Sequence, residues 1–319
     1  MQKLDLRLAV RDGQWLRIPL PSQVPEMLTA GSHPHRVRQW LLAAAILPDK
    51  WVNRLFSVGG IRLDDGQLLL QAFPAYDWTG HPLLAAGGAH SNARVLEAAV
   101  LYEDDWCLVL DKPAGMPVHP ARPGHRGTLD EWAVRHVLAR GDMAHVRHIH
   151  RLDDDTSGPV LYAKNDLAQW RLDEAMRDKR IDRQYVALVH GIPRQGQGTI
   201  DAPIGKDRSH SARRRVSPAG DHAVTHYEIL ESYEASSLLR VRLETGRTHQ
   251  IRVHLSHIGH PLIGDTLYGA PADPLLRRQA LHGERLSYLH PWTCEAITVL
   301  SDLPAEMDAA RQRLGLRPK

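Results

Sequence analysis

The apolar residues of this chain occur in short runs separated by turn residues, and this pattern limits the folds that are open to it. Strands are predicted for the runs at 106–110, 159–165, 183–191, 225–232 and 237–244. Helical periodicity is found between them, at 128–140 and 166–179. Because strands and helices follow one another without a strict β-α-β rhythm, the sequence predicts an α+β fold rather than a doubly wound parallel sheet.

The N-terminal part of the chain contains a smaller set of elements. Two pairs of short strands are predicted within 4–19 and 61–72, each pair turning at an Asp-Gly sequence. Helices at 34–47 and about 49–57 lie between the pairs. The next segment, 73–95, is rich in Gly, Pro and Ala with weak periodicity, so we interpret it as a linker.

Length and cysteine content narrow the class of protein. A chain of 319 residues predicts one large domain or two. No stretch approaches the roughly 20 apolar residues of a membrane span, and the charged N-terminus has no apolar signal region. Two cysteines, Cys107 and Cys294, cannot form a disulfide framework. We therefore expect a cytoplasmic protein without membrane contact.

Charge is concentrated in one segment. A net charge of +3 does not by itself indicate what kind of partner the chain binds. Residues 206–215 (KDRSHSARRR), however, contain four Arg and one Lys. A cluster of this kind suits phosphate contacts. From the residues alone, a solvated loop is equally consistent with this segment.

The run HRLDDDTSG, residues 150–158, is predicted to form a loop between two strands. A carboxylate at such a position can serve as nucleophile, base or metal ligand. Leu152 can anchor the loop to the core beside Asp153, and the Thr-Ser-Gly sequence can shape the turn. A capped structural turn remains the alternative.

The stretch LETGRTHQIRVHLSHIG, residues 243–259, predicts a strand end, a turn and a helix that Thr248 caps and Gly259 ends. Arg247 lies just before this helix and can bind a carboxylate through both arms of its guanidinium. His249 and Arg252 flank the same helix end. The alternative is an ordinary basic surface helix.

Two further stretches contain candidate residues. Tyr185 lies on the strand DRQYVALVHG, where a core aromatic is the competing interpretation. The loop DKPAGMPVHP carries Lys112 and His119, which could contact phosphate, although a rigid structural corner is equally consistent with three prolines.

A metal site is a further possible interpretation of the residues around 148–155. His148 and His150 alternate as on one strand face, and the aspartates 153–155 could add oxygen ligands. However, Arg151 lies inside the cluster and would repel a cation, and no HExxH or Cys pair supports the site. We therefore expect no metal.

Taken together and in this order, these stretches resemble the RluA family of RNA pseudouridine synthases. Residues 150–158 match the family's HRLDxxTSG signature, and the other matches are LETGRTHQIRVHL with HPLIGDTLYG at 260–269, DKPAGMPVHP with KPxGxxVHP, and ALHGERLSYLHPWT at 280–293. The similarity covers roughly residues 97–300.

The resemblance implies a domain organisation. Residues 97–319 are expected to form a pseudouridine synthase domain, with a mixed, largely antiparallel sheet flanked by helices. Residues 1–80 are similar to an S4-like RNA-binding module, although GGIRLDDGQ replaces the expected G-x-V-x-V-N-G pattern. Residues 81–96 would then be the linker.

The resemblance also implies roles for individual residues. Asp153 is expected to be the catalytic carboxylate, Arg247 its salt-bridge partner, and Tyr185 the aromatic that stacks on the target base. The residues expected to contact RNA are Arg151, His150, Lys112, His119, Arg213, Arg214, Arg215 and Arg252.

The implied activity is the isomerisation of uridine to pseudouridine in structured rRNA or tRNA, without a cofactor. The expected partner is RNA, with no obligate protein partner and a monomeric chain. A non-catalytic RNA-binding protein on the same fold is the alternative. The chain departs from the family at Arg183, usually Lys, and at Pro159, usually aliphatic; we expect the proline to alter the start of its strand.

Overall fold

The computed structural model describes residues 4–21, 28, 31–84, 97–273 and 276–315, and it is built on antiparallel sheets with helices packed against them. The predicted α+β class is confirmed. No helix among these residues has the length and apolar content needed to cross a lipid bilayer.

The described residues between 4 and 73 form a four-stranded antiparallel sheet with two helices. Its elements are β1 (Val10–Asp12), β2 (Trp15–Pro19), α1 (Pro34–Ala44), α2 (Asp49–Ser57), β3 (Ile61–Asp64) and β4 (Gln67–Leu70), in the sheet order β1-β2-β4-β3. The turn between β3 and β4 has positive φ at both Asp65 and Gly66, which is the geometry that Asp-Gly favours in tight hairpins. The predicted elements of this region are confirmed, except that a 3-10 turn occupies Leu6–Leu8.

The remaining residues form a larger body. Its elements are β5 (Ala99–Glu103), β6 (Cys107–Lys112), α3 (Leu129–Ala139), β7 (Arg147–His148), β8 (Gly158–Ala163), α4 (Asp166–Arg177), β9 (Asp182–His190), β10 (Gln197–Asp201), β11 (Ile204–Lys206), β12 (Arg214–Val216), β13 (Val224–Ser232), β14 (Ser236–Leu243), α5 (Gln250–His257), β15 (Leu281–Leu289), β16 (Ala296–Leu300) and α6 (Ala305–Gly315). Asn165 caps α4 by accepting from the backbone N–H of Ala168.

Two sheets meet side by side in this body. One has the order β10-β13-β14-β9-β15-β16 and the other β5-β6-β8-β7, and all strand pairs described within them are antiparallel. A parallel bridge between Ser157 and His282 joins them. The loop 150–157 therefore runs into the seam between the sheets.

Gly158 is required at this seam. Its φ is +125°, and a Cβ added there would lie 2.4 Å from the carbonyl oxygen of Gly283 on β15. The backbone of β15 thus passes too close for any side chain. Pro159 follows as a regular member of β8 opposite Asp111, so the predicted disturbance of the strand start was wrong.

The N-terminal region shares a buried core with the larger body. Trp106 stacks on Trp292 with ring centroids 4.7 Å apart, and Phe73 meets Trp106 edge-on at 4.9 Å. The indole Nε1 of Trp292 donates to the carbonyl of Leu6 at 3.0 Å. Arg11 adds ion pairs to the larger body. Because these contacts are buried, the two parts are expected to unfold together.

The start of the predicted linker packs tightly. Phe73 and Trp78 are buried, and the N–H of Tyr76 donates to the carbonyl of Met143 at 2.9 Å. Residues 85–96 of the predicted linker lie outside the described residues. The part that is described therefore belongs to the folded body.

Substitution Trp292→Ala tests this shared core. Loss of the stacked, buried indole should lower the free energy of unfolding by about 3–5 kcal/mol. Urea denaturation followed by circular dichroism gives the value, and wild type should show one transition. Leu289→Ala, at an exposed residue of β15, is the control and should cost less than about 1 kcal/mol. Equal, small losses for both variants would contradict a shared core.

Candidate functional site

A cavity of about 850 Å³ opens where the loop 150–158 faces the start of α5. The side chains that define it include Asp153, Tyr185, Arg247, His249, Arg252 and Arg278. The structure thus brings together the three residues predicted to be catalytic, Asp153, Tyr185 and Arg247, although they are far apart in sequence.

The floor of the loop is held by a buried lysine. Lys112 is fully buried, and its Nζ donates to the carbonyls of Asp154 (2.6 Å), Met116 (2.6 Å) and Pro113 (2.9 Å). The predicted RNA contact of Lys112 was therefore wrong, because RNA cannot reach this amine. Burial lowers the pKa of Lys112 to about 7.

The following loop residues are also fixed. The Arg278 guanidinium donates to the carbonyl of Asp155 at 3.1 Å and pairs with Glu306 on α6. The N–H of Thr156 donates to the carbonyl of Asp153 at 3.0 Å. Asp153 is therefore presented on a rigid loop, which a reactive group requires.

The structure gives Asp153 a different arginine from the predicted one. The Nη1 of Arg252 lies 3.4 Å from the carboxylate of Asp153, and its other two nitrogens donate to Asp265 at 2.7 and 2.9 Å. Arg247 is exposed at the cavity wall, and its Nε donates to the carbonyl of His222. The predicted Arg247–Asp153 pairing was therefore wrong. The RNA contact predicted for Arg252, which lines the cavity, stays a prediction.

The charge of Arg252 is well supported. Burial alone would lower its pKa, but the hydrogen bonds to Asp265 and the charge of Asp153 outweigh burial and raise the pKa. Asp265 itself is almost fully buried. Sequence reasoning missed Asp265, although its motif, HPLIGDTLYG, had been recognised.

Tyr185 lies on β9, is almost fully buried in the core and contributes to the lining of the cavity. Burial raises the pKa of its hydroxyl, so the phenol stays protonated at neutral pH. The side chain thus places a neutral aromatic group at the wall of the cavity.

His150 is a structural residue. It is buried, its Nε2 accepts from the N–H of Leu161 at 3.3 Å, and burial lowers its pKa to about 3. The predicted RNA contact of His150 was wrong, since a neutral, enclosed imidazole cannot bind phosphate. Arg151 and His119 do lie at the cavity wall, 3.2 Å apart.

The basic segment 206–215 spans the β11–β12 hairpin. Arg213, Arg214 and Arg215 lie on its second half, at least partly exposed. The N–H of Arg214 donates to the hydroxyl of Tyr268 at 2.9 Å, and the Arg213 guanidinium lies 5.7 Å from the centre of that ring. Tyr268, which sequence reasoning missed, thus fixes the hairpin beside the cavity.

The start of α5 also differs from the prediction. His249, rather than Thr248, precedes the helix, with left-handed φ of 58° and no capping hydrogen bond from its side chain. The side-chain oxygen of Gln250 instead accepts from the N–H of Arg247 and the hydroxyl of Thr245. Gly259 follows the helix end with a φ of 86°, as expected for a helix stop.

One cluster of side chains has the chemistry of metal ligands. Among the described side chains, the group close enough to share a cation is Asp104, Cys107 and His290, away from the cavity. Both imidazole nitrogens of His290 are used, because Nε2 contacts Asp104 at 2.7 Å and Nδ1 accepts from the N–H of Thr293. These contacts describe a hydrogen-bonded structural link between β5–β6 and β15–β16.

Comparison with known proteins identifies a single family. The sequence model of the RNA pseudouridylate synthases matches residues 106–257. The uncharacterised RNA pseudouridine synthase YhcT of Bacillus subtilis is 48% identical over 213 residues, covering 66% of this chain and 70% of that protein. The ribosomal large subunit pseudouridine synthase D of Nitrosomonas europaea is 39% identical over 250 residues, covering 74% and 72%.

A solved structure shows the same architecture. Human RNA pseudouridylate synthase domain containing 4 superimposes with a TM-score of 0.57 at 25% identity, covering 69% of this chain and 94% of that one. The implied fold, a largely antiparallel sheet flanked by helices, is therefore confirmed.

The two arginines at the cavity provide a matched test. Arg252→Gln leaves the buried carboxylate of Asp265 without its charge partner, so the free energy of unfolding should fall by about 3–5 kcal/mol. Arg247→Gln removes an exposed side chain and should change the value by less than about 0.5 kcal/mol. Urea denaturation of both variants gives the comparison, and a larger loss for Arg247→Gln would contradict the observed pairing.

Lys112 predicts a pH dependence of stability. Its pKa is about 7 in the folded chain and near the usual 10.5 when unfolded, so the unfolded chain binds more protons above pH 7. The difference in unfolding free energy between wild type and Lys112→Met should therefore rise in favour of wild type from pH 7 to 9. Denaturation at several pH values measures this difference, and a difference independent of pH would contradict the lowered pKa.

Proposed function

This chain belongs to the RNA pseudouridine synthases, isomerases that convert uridine in RNA to pseudouridine, and from that premise we propose that Asp153 is its catalytic carboxylate and structured rRNA or tRNA its substrate. The names of relatives such as the large-subunit synthase of Nitrosomonas europaea favour ribosomal RNA. We propose the catalytic residue and the kind of RNA, whereas the isomerisation of uridine is the reaction of the family.

One observation carries the assignment of Asp153. Its partly exposed carboxylate lies in the same cavity as Tyr185 and is paired with Arg252 at 3.4 Å. Asp154 and Asp155 are exposed, and their backbone carbonyls, rather than their carboxylates, take part in holding the loop. Of the three consecutive aspartates, Asp153 is therefore the one positioned to act.

The reaction needs this combination of groups. The C1′–N1 bond of uridine breaks, the uracil turns, and a bond forms between C1′ and C5. A fixed carboxylate near C1′ and C6 can act by attack or by proton abstraction. The ring of Tyr185 offers a surface on which the free uracil can stack. Arg252 orients the carboxylate and, because it is buried, stays in place during the reaction.

Basic groups around the cavity are proposed to bind the RNA backbone. These are Arg151 and His119 at the cavity wall and Arg213, Arg214 and Arg215 on the hairpin. A uridine within a stem must leave the base stack to reach Asp153, which costs a few kcal/mol. Phosphate contacts offset that cost and make binding sensitive to salt.

We further propose three parts of the chain, an S4-like module at 1–80, a linker at 81–96 and a catalytic domain at 97–319. The sheet-and-helix unit of residues 4–73 supports the first, and the shared core around Trp106 and Trp292 supports a fixed position beside the third. In this arrangement the module would meet RNA as part of one surface with the catalytic domain.

The protein is proposed to act as a cytoplasmic monomer without an obligate protein partner. One chain supplies Asp153, Tyr185 and Arg252 to the same cavity, so no second copy is needed to complete it.

The alternative is a non-catalytic RNA-binding protein on this fold. It predicts RNA affinity without turnover and no special effect of Asp153. The buried support given to Asp153 by Lys112 and Arg252 favours catalysis, because simple RNA binding does not require a rigidly held, solvent-reachable carboxylate.

Release of tritium tests the proposal. When C5 of the uracil bonds to C1′, the hydrogen on C5 is lost, so RNA labelled with 5-tritiated uridine should release tritium to water. Asp153→Asn should reduce the rate by at least about 10³-fold, because the charged carboxylate is removed without a change of shape.

Asp154→Asn and Asp155→Asn are the matched controls, and both should stay within about threefold of wild type. Release that persists in Asp153→Asn would remove Asp153 from the mechanism. Firm RNA binding by wild type with no release from any RNA would favour the non-catalytic alternative.

A further inference from the structure

His249 has an unusual backbone at the wall of the cavity. It adopts φ 58° and ψ 20° directly before α5, and its side chain does not cap the helix. A left-handed conformation at a residue other than glycine is unfavourable and persists where the surroundings enforce it. Glycine would occupy this position without strain, so the structure retains a costly residue beside Asp153.

The imidazole of His249 is oriented by a hydrogen-bonded relay. The N–H of Arg214 donates to the hydroxyl oxygen of Tyr268 at 2.9 Å, and that hydroxyl lies 2.8 Å from Nδ1 of His249. The hydroxyl can donate to Nδ1, because its oxygen already accepts from the N–H of Arg214. We assign this direction, in which Nδ1 is unprotonated in the neutral ring and Nε2 carries the hydrogen.

The Nε2–H group is available to a ligand. His249 lines the cavity together with Asp153 and Tyr185 and is only partly buried. Among the described residues, Nε2 has no hydrogen-bond partner, and this atom is not fully buried. The relay thus leaves one N–H donor of His249 at the wall of the cavity that Asp153 and Tyr185 also line.

The surrounding charges keep this donor neutral. Burial lowers the pKa of His249, the nearby Arg252 and Arg214 lower it further, and Asp153 and Asp265 oppose them without reversing the shift. With a pKa below its ordinary value, the ring is uncharged at neutral pH. A neutral donor does not compete with Arg252 for the carboxylate of Asp153.

From this geometry we propose that His249 is a catalytic residue, whose Nε2–H donates a hydrogen bond to a carbonyl oxygen of the target uracil. The inference rests on the proposed function and adds to it a group that stabilises charge on the base.

The chemistry explains why such a donor is useful. When the C1′–N1 bond breaks, its electron pair stays with N1 and spreads onto O2 and O4 of the uracil. The ring then bonds to C1′ through C5, loses the proton from C5 and gains one at N1, so the product is an isomer. Negative charge on a carbonyl oxygen is therefore larger in the intermediates than in uridine or pseudouridine, and a donor already fixed in place stabilises those intermediates. This holds whether Asp153 attacks, in which case the charge on the base begins to form before the C1′–N1 bond breaks, or abstracts a proton.

Four variants test the inference, with single-turnover tritium release as the assay. The RNA is total RNA from a strain that lacks the gene, labelled with 5-tritiated uridine, so that the natural target sites are unmodified. His249→Gly removes the imidazole and relaxes the backbone, whereas His249→Gln retains an N–H donor near the position of Nε2. Tyr268→Phe breaks the relay, and it is combined with His249→Gly to give a double-mutant cycle.

The expected result separates catalysis from folding. His249→Gly should lower the single-turnover rate about a hundredfold, with RNA affinity within about threefold of wild type and thermal stability unchanged or higher. His249→Gln should recover part of the rate. Tyr268→Phe should slow wild type and should have little further effect in the His249→Gly background.

Two outcomes would overturn the inference. One is a folded His249→Gly variant whose rate stays within twofold of wild type. The other is a Tyr268→Phe effect of equal size in both backgrounds, which would show that the tyrosine does not act through His249. Absence of release by wild type itself would instead count against the proposed function.

Discussion

The guanidinium of Arg252 is shared between a buried carboxylate and a partly exposed one, and the arrangement of the cavity depends on it. Its tight hydrogen bonds to Asp265 fix the guanidinium, and its remaining nitrogen reaches Asp153. A buried cation of this kind needs a permanent counter-charge, which Asp265 supplies. The charge of Arg252 is therefore compensated by Asp265 independently of what the carboxylate of Asp153 contacts.

The rest of the fold brings Asp153 to this arginine. The loop 150–157 enters the seam between two sheets, where Gly158 lets the strands approach, and Lys112 and Arg278 hold its backbone carbonyls. The helix α5 approaches from the other side and carries Arg252. The ion pair with Arg252 and the close packing at Gly158 thus act on the same loop. Contacts from other parts of the chain hold this loop in place.

Local signals allowed much of this to be predicted. The Asp-Gly hairpins and the position of residues 150–157 in a loop between two strands follow from patterns within a few residues. The choice between Arg247 and Arg252 did not, because it depends on the left-handed backbone at His249, which sets where the helix begins and which arginine points to the loop. The burial of Lys112 also depends on contacts that are distant in sequence, so charge alone wrongly placed it on the surface.

Pseudouridine mapping in cells tests directly whether Asp153 is needed for the modification. RNA from cells that lack the gene is compared with RNA from the same cells carrying either the wild-type gene or Asp153→Asn at equal protein level. If Asp153 is the catalytic carboxylate, one or more sites disappear on deletion, return with wild type and stay absent with Asp153→Asn. Restoration of those sites by Asp153→Asn would show that Asp153 is not the catalytic group.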